Sequence, residues 1–174
     1  MQKKLMVLGI LFLPLFLNAK SNTETLGDIL SAIIPIGGYG TALYLDDKEG
    51  QTEFYKSYGT TLATTYALKY SVREKRPDSD AQDSFPSGHT SSAFSGASFI
   101  HKRYGFKYAV VPYLGAIYTA YSRVHSNRHY RRDVVAGAIL GTASSWYFTT
   151  SYNKVEITPS IESKYQGVKV SYKW

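Results

Sequence analysis

The chain has 174 residues, a net charge of +7 and no cysteine, which fits one domain and excludes disulfides, thiolate nucleophiles and cysteine metal sites. Its 44% hydrophobic content, with 16 tyrosines, is enough for a packed core. The basic balance suits a phosphorylated substrate or an anionic membrane surface, whereas no Lys/Arg stripe, zinc finger or RNA-binding signature points to nucleic acid.

At the N-terminus, Lys3 and Lys4 precede the apolar run Leu5–Leu17, which is followed by the small residue Ala19. These are the parts of a secretory signal, and the run is short for a spanning helix. A leader over 1–19, cleaved after Ala19 for export, is expected, with an uncleaved anchor as the alternative. Leu26–Leu45 is apolar, and Pro35 with the Gly37–Gly38 pair is expected to break or bend it. A charged turn follows at 45–50. Further helices are expected at 54–70, 90–104, 108–122 and 134–150, separated by charged loops at 71–89 and 123–132. Their small residues suit a bundle. Mean hydropathy of −0.23 favours a protein that is soluble or rests on a membrane surface over a fully embedded one. Residues 20–153 read as the helical domain and 154–174 as a β tail. There Val168, Val170, Tyr172 and Trp174 share one parity, and Val155 with Ile157 marks a partner strand. An edge hairpin packed on the bundle is expected.

Three stretches carry chemistry. Pro86, Ser87, Gly88 and His89 stand where a loop becomes a helix. The free N–H groups and dipole of a first turn favour an anion there, and a histidine can give or take a proton. His129 and Asp133 are four apart and share one face of a helical turn. A carboxylate accepting one ring N–H leaves the other nitrogen unprotonated, ready as nucleophile or base; a surface ion pair is the alternative. Lys69, Arg73, Lys75 and Arg76 on one loop, and Arg123, His125, Arg128, Arg131 and Arg132 on the other, are anion-binding candidates or solvated loop charges. An up-and-down bundle brings all three stretches to one end.

Together they resemble the signature of the type 2 phosphatidic acid phosphatase (PAP2) superfamily, also called the acid phosphatase and vanadium haloperoxidase superfamily. Lys69 is followed after six residues by Arg76–Pro77, then comes Pro86–Ser87–Gly88–His89, then Ser122–Arg123, five residues, His129, three residues and Asp133. All eleven specified positions match, over a region of about residues 54–150. The resemblance implies an all-α fold, a PAP2-like bundle of about five helices, here with a short C-terminal β-hairpin or strand. It implies that His129 is the nucleophile that forms a phosphohistidine and that Asp133 orients it. His89 would protonate the leaving oxygen and then activate water. Lys69, Arg76 and Arg123, with the backbone N–H groups of Ser87 and Gly88, would bind the phosphate. No cofactor and no metal are expected. The implied activity is a metal-independent phosphatase facing the periplasm and acting on lipid phosphates such as phosphatidate, a prenyl pyrophosphate or lipid A. The alternatives are a soluble acid phosphatase of broad specificity acting on small phosphomonoesters, a vanadate-dependent haloperoxidase, for which the chain is short, and a non-catalytic anion-binding module.

Overall fold

The computed structural model describes residues 19–152, 155–162 and 165–172, so the expected leader falls, but for Ala19, outside the described residues. Five helices follow one another: α1 (Ala19–Tyr44), α2 (Lys48–Val72), α3 (Gly88–Tyr104), α4 (Phe106–His125) and α5 (Arg131–Phe148). The domain is all-helical. The helices alternate in direction, with α3 at the centre packed against the other four.

Local chemistry sets the helix ends. The Gly50 N–H donates to Asp47 Oδ1 at 3.0 Å, which caps the start of α2. Ser87 is the N-cap of α3, and its hydroxyl faces the Thr90 N–H at 3.5 Å. Gly105, at φ 104°, lets α3 reverse directly into α4. The Tyr130 N–H donates to Asp133 Oδ2 at 3.0 Å, closing the first turn of α5. The expected break at Pro35 does not occur: α1 runs through it unbroken. Pro35 packs against Gly96 of α3, so closely that a Cβ there would lie 2.7 Å from the Pro35 Cα. This contact packs the helix against α3 at the point where Pro35 lacks a hydrogen bond.

Packing is polar inside. Small apolar clusters, such as Ala42, Phe54, Phe99, Ile100 and Ala109, fill part of the core. The seam of α2, α3 and α5 is instead joined by hydroxyls. Thr65 Oγ1 lies 2.9 Å from Ser91 Oγ, Thr61 donates to Ser95 at 3.2 Å, and Ser95 Oγ lies 3.0 Å from Ser145 Oγ. At the end away from the charged loops, buried Arg103 donates to Asp47 and Glu53 and ties the α1–α2 turn to the foot of α3.

Val155–Glu162 and Tyr165–Tyr172 run antiparallel to each other. Among the described residues neither strand lies against a helix, so the expectation of an edge hairpin packed on the bundle is not supported. The helices complete their packing without it.

Two glycines of α5 set its distance from α3. A Cβ at Gly137 would lie 2.6 Å from the Ser87 carbonyl oxygen; one at Gly141 would lie 2.8 Å from the Ser95 nitrogen and collide with the Ser91 carbonyl. Gly141→Ala is therefore expected to lower stability by about 1–3 kcal/mol in thermal or denaturant unfolding. Gly59→Ala on α2, where a Cβ meets open space, should be neutral or stabilising by about 0.5–1 kcal/mol. Equal effects of the two would refute the close helix contact.

Candidate active site

Four helix ends and the loops between them converge at one end of the bundle. Lys69 comes from the last turn of α2, Arg76 from the loop after it, His89 from the first turn of α3, Arg123 from the last turn of α4, His129 from the loop just ahead of α5, and Asp133 from the first turn of α5. The backbone fixes two of these together, since the Ser87 N–H donates to the Asp133 carbonyl at 3.0 Å. The His89 and His129 rings both feel the charges of Lys69 and Arg76, so the two rings lie near the same pair of cations.

His129 is 3% and Asp133 0% exposed. Their direct contact is longer than a hydrogen bond, with Nδ1 3.6 Å from Asp133 Oδ2. Ser84 stands beside both. Its hydroxyl donates to Asp133 Oδ2 at 2.6 Å and lies 3.4 Å from His129 Nδ1. The expected carboxylate–imidazole pair is thus supported by a hydroxyl whose proton is committed to Asp133. That leaves the Ser84 oxygen to accept from an Nδ1–H tautomer and leaves Nε2 with a free electron pair. Burial, then Lys69 and Arg76, hold the His129 pKa down to about 4, against the opposing pull of Asp133 and Ser84. The ring is neutral near pH 7.

Each expected cation has an anionic or carbonyl partner. Arg76 grips Asp83 with two bonds, Nε to Oδ1 at 2.7 Å and Nη2 to Oδ2 at 2.9 Å. This pairing keeps the Asp83 carboxyl below its ordinary range. Lys69 Nζ donates to the Asp83 carbonyl. Arg123, with a side chain 3% exposed, donates through Nη2 to the Glu24 carbonyl at 2.6 Å, through Nε to Ser122 Oγ at 3.1 Å, and through Nη1 to Asp28 at 2.7 Å. His89 Nε2 lies 3.0 Å from the same Asp28 oxygen. Burial, then Arg123, lower the His89 pKa from 6.5, and Asp28 opposes them. His89 stands at the loop-facing tip of α3, with its side chain 43% exposed.

One expectation for the phosphate cradle is revised. The Ser87 N–H is already given to Asp133, so it is not free for an anion. The unpaired first-turn donors that remain are those of Gly88 and His89, because Thr90 faces the Ser87 hydroxyl. Of the remaining basic residues, Arg128 is held by Glu24 and Asp78, and Lys75 by Asp80. His125 stacks on Tyr121 at the surface, and His101 lies at the opposite end among Phe106, Tyr113 and Trp146. Neither belongs to the site.

Asp28, Asp83 and Ser84 are site residues that the motifs do not contain. Asp83 and Ser84 directly precede Phe85–Pro86, and only the fold shows which way they point. Asp28 carries a signal of its own, the one charged residue in the run Leu26–Leu45.

The profile of the PAP2 superfamily matches residues 52–157. The chain is 31% identical over 169 residues to the lipid A 4'-phosphatase of Helicobacter pylori, which covers 87% of this chain and 85% of the relative. It is 45% identical over 78 residues to the lipid A 1-phosphatase of Porphyromonas gingivalis; that match covers 43% of this chain and spans only 18% of the relative. The crystal structure of Aquifex aeolicus LpxE has the same fold, with a TM-score of 0.54 at 20% identity over 74% of this chain and 92% of that one.

The buried neutral ring has a measurable consequence for folding. Unfolded, His129 takes up a proton near 6.5; folded, only near about 4. Between these values the unfolded chain binds more protons, so this contribution to stability is complete above 6.5 and is lost as pH falls towards 4. Unfolding midpoints across that window should therefore fall less steeply for His129→Gln than for the native chain. Parallel curves would show that the ring is not buried neutral.

Proposed function

The chain belongs to the PAP2 superfamily, and from that premise we propose that it is a membrane-embedded phosphatase that removes phosphate from a lipid of the lipid A class through a phosphohistidine. What supports this reading is the neutral, buried His129, whose Nδ1–H tautomer leaves Nε2 an electron pair, with Lys69 and Arg76 acting on its ring and on that of His89, and Arg123 joined to His89 through Asp28. In the first half-reaction Nε2 attacks phosphorus, the bond to the leaving oxygen breaks, and that oxygen takes a proton from His89. Asp133, through its contact and through Ser84, stabilises the positive ring. In the second half-reaction water gives a proton to His89 and attacks phosphorus, and the electron pair of the broken N–P bond returns to His129. Three fixed cations and the N–H groups of Gly88 and His89 spread the transferring charge, so a chelator is expected to leave the rate unchanged.

The surface supports a lipid substrate. α1, over Asn22–Tyr44, is long and apolar enough to cross a membrane. Ile29, Ile33 and Ile36 on α1, Val110, Val111, Leu114 and Ile117 on α4, and Val135 and Ile139 on α5 are exposed. Aromatic rings bracket these aliphatic residues: Tyr121 and Tyr130 at the end that holds the site, and Tyr44, Tyr108, Trp146 and Tyr147 at the other. Along α5, Tyr130 to Tyr147 spans about 26 Å, close to the roughly 30 Å of a hydrocarbon core. The outside is apolar and the inside polar, which does not favour the soluble alternative. The expected export signal makes the periplasmic face the side on which the site would open. The names of the two relatives assign phosphates at different positions of lipid A, and this chain aligns along most of the 4'-phosphatase.

Purified protein in detergent or vesicles is expected to release phosphate from lipid A, with mass spectrometry giving the position removed. His129→Ala should abolish turnover, and vanadate should inhibit. Arg76→Lys loses the two-pronged grip and should slow the reaction by about 10²–10³. Free-enzyme kcat/KM should be bell-shaped, rising as the pair loses its first proton near about 4 and falling below 6.5 as the second leaves. Full activity in His129→Ala would defeat the mechanism; activity confined to soluble phosphomonoesters would defeat the substrate.

A further inference from the structure

Asp28 stands outside all three motifs and outside residues 52–157, the region that the family profile matches. Yet its Oδ1 is shared by two groups assigned to opposite tasks. Arg123 Nη1 donates to it at 2.7 Å, and His89 Nε2 lies 3.0 Å away. The other two donor positions described for Arg123 face inward, to the Glu24 carbonyl and Ser122. Nη1 is therefore the face that an anion at the site would meet. The Asp28 side chain is 47% exposed, while that of Arg123 is 3% exposed. An exposed, movable carboxylate thus covers a fixed guanidinium, in the position between Arg123 and the acid that a phosphate oxygen would take.

We infer that Asp28 is a positioning residue that stands in for the substrate's phosphate: it holds Arg123 and the His89 N–H in place in the empty site and swings aside when phosphate binds. The inference rests on the proposed phosphatase reading. Two negative groups cannot share Arg123 Nη1 without strong repulsion, and Asp28 has solvent to move into while Arg123 has not. Once Asp28 has left, the His89 Nε2–H faces the leaving oxygen and its proton passes there as the P–O bond breaks. After water has returned a proton to His89 and freed inorganic phosphate, Asp28 competes for Nη1 and helps the product depart. Asp28 gains and loses no atom in the cycle.

The charged groups around His89 are Asp28 from α1, Lys69 from α2, Arg76 from the loop and Arg123 from α4. Beyond them lie Asp83 on Arg76 and the His129–Asp133 pair. Asp28 is the carboxylate in direct contact with the His89 ring, and the three cations oppose protonation. Neutralising Asp28 should therefore lower the share of His89 that carries the proton to be donated and, at the same time, open Arg123 to anions.

The test uses the full chain with Asp28→Asn, and Asp28→Ser if the first variant does not fold. Inorganic phosphate and vanadate should bind at least about tenfold more tightly. The alkaline limb of kcat/KM should move to lower pH. At a fixed pH on that limb, kcat/KM for a lipid substrate with a poor leaving group should fall more than that for an aryl phosphate, whose leaving oxygen needs less help from an acid. A merely structural role predicts the opposite binding result: a loosened Arg123 would weaken phosphate and vanadate and leave the limb in place. That outcome, or no change in any of the readouts, overturns the inference. Parallel measurements on the native chain and His129→Ala separate the two readings. A native chain without phosphatase activity removes the proposed function, whereas an active native chain with an inert His129→Ala and an unaltered Asp28→Asn removes only the role of Asp28.

Discussion

The hydrogen bond from the Ser87 N–H to the Asp133 carbonyl joins the starts of α3 and α5, and the chemistry depends on that junction. One helix start carries His89 and the other carries Asp133, with His129 just ahead of it. Neither start can shift alone, because Gly137 and Gly141 let the two helices approach to backbone contact immediately behind the site. Asp133 serves both purposes. It closes the first turn of α5 by accepting the Tyr130 N–H, and the same oxygen accepts from Ser84 and faces the His129 ring. A carboxylate so committed cannot reorient, so neither can the imidazole it supports.

The interior follows from the exterior. A bundle whose outer faces on α1, α4 and α5 are aliphatic gains little from an oily core when those faces meet lipid, because lipid is as apolar as leucine. Cohesion then comes from close backbone approach and from hydroxyls bonded across helices, such as Thr65 to Ser91 and Ser95 to Ser145. Each such bond contributes modestly, about 0.6 kcal/mol, and the tight glycine contacts add dispersion. Mean hydropathy misleads for this reason. It averages hydroxyl-rich interior positions and charged loops with the apolar outer faces, and the sum reads as a soluble protein. The informative quantity is where the apolar residues stand.

The three motifs were legible because phosphoryl transfer demands specific residue types at fixed spacings, and Lys69, Arg76, His89, Arg123, His129 and Asp133 sit at those spacings. Five helices were legible from loop charge and apolar runs. The unbroken course of α1 through Pro35 was not, because a long-range contact with Gly96 decides it. Nor could spacing reveal that Ser84 would stand between His129 and Asp133, or that the Ser87 N–H would be given to a carbonyl 46 residues away. Those are facts of loop direction and helix pairing, which local sequence does not encode. Asp28 is the one charge in the run Leu26–Leu45, but that run reads as apolar, and the partners of Asp28 lie 61 and 95 residues downstream.

Charge balance explains why two of the three missed residues, Asp28 and Asp83, are acids. Lys69, Arg76 and Arg123 gathered at one end of the bundle repel one another, and burying Arg123 without a counter-ion is strongly unfavourable. Asp83 offsets Arg76 and lends its carbonyl to Lys69; Asp28 offsets Arg123; Asp133, fully buried, faces the neutral His129. Of these carboxylates, Asp133 is fully buried with three groups on its Oδ2, and Asp83 is held by a two-pronged bond, whereas Asp28 has two groups on one oxygen and opens to solvent. A dianionic phosphate must displace some negative charge to enter. On the inference drawn above, the least tightly held carboxylate gives way first, and it stands on α1, the helix long and apolar enough to cross a membrane.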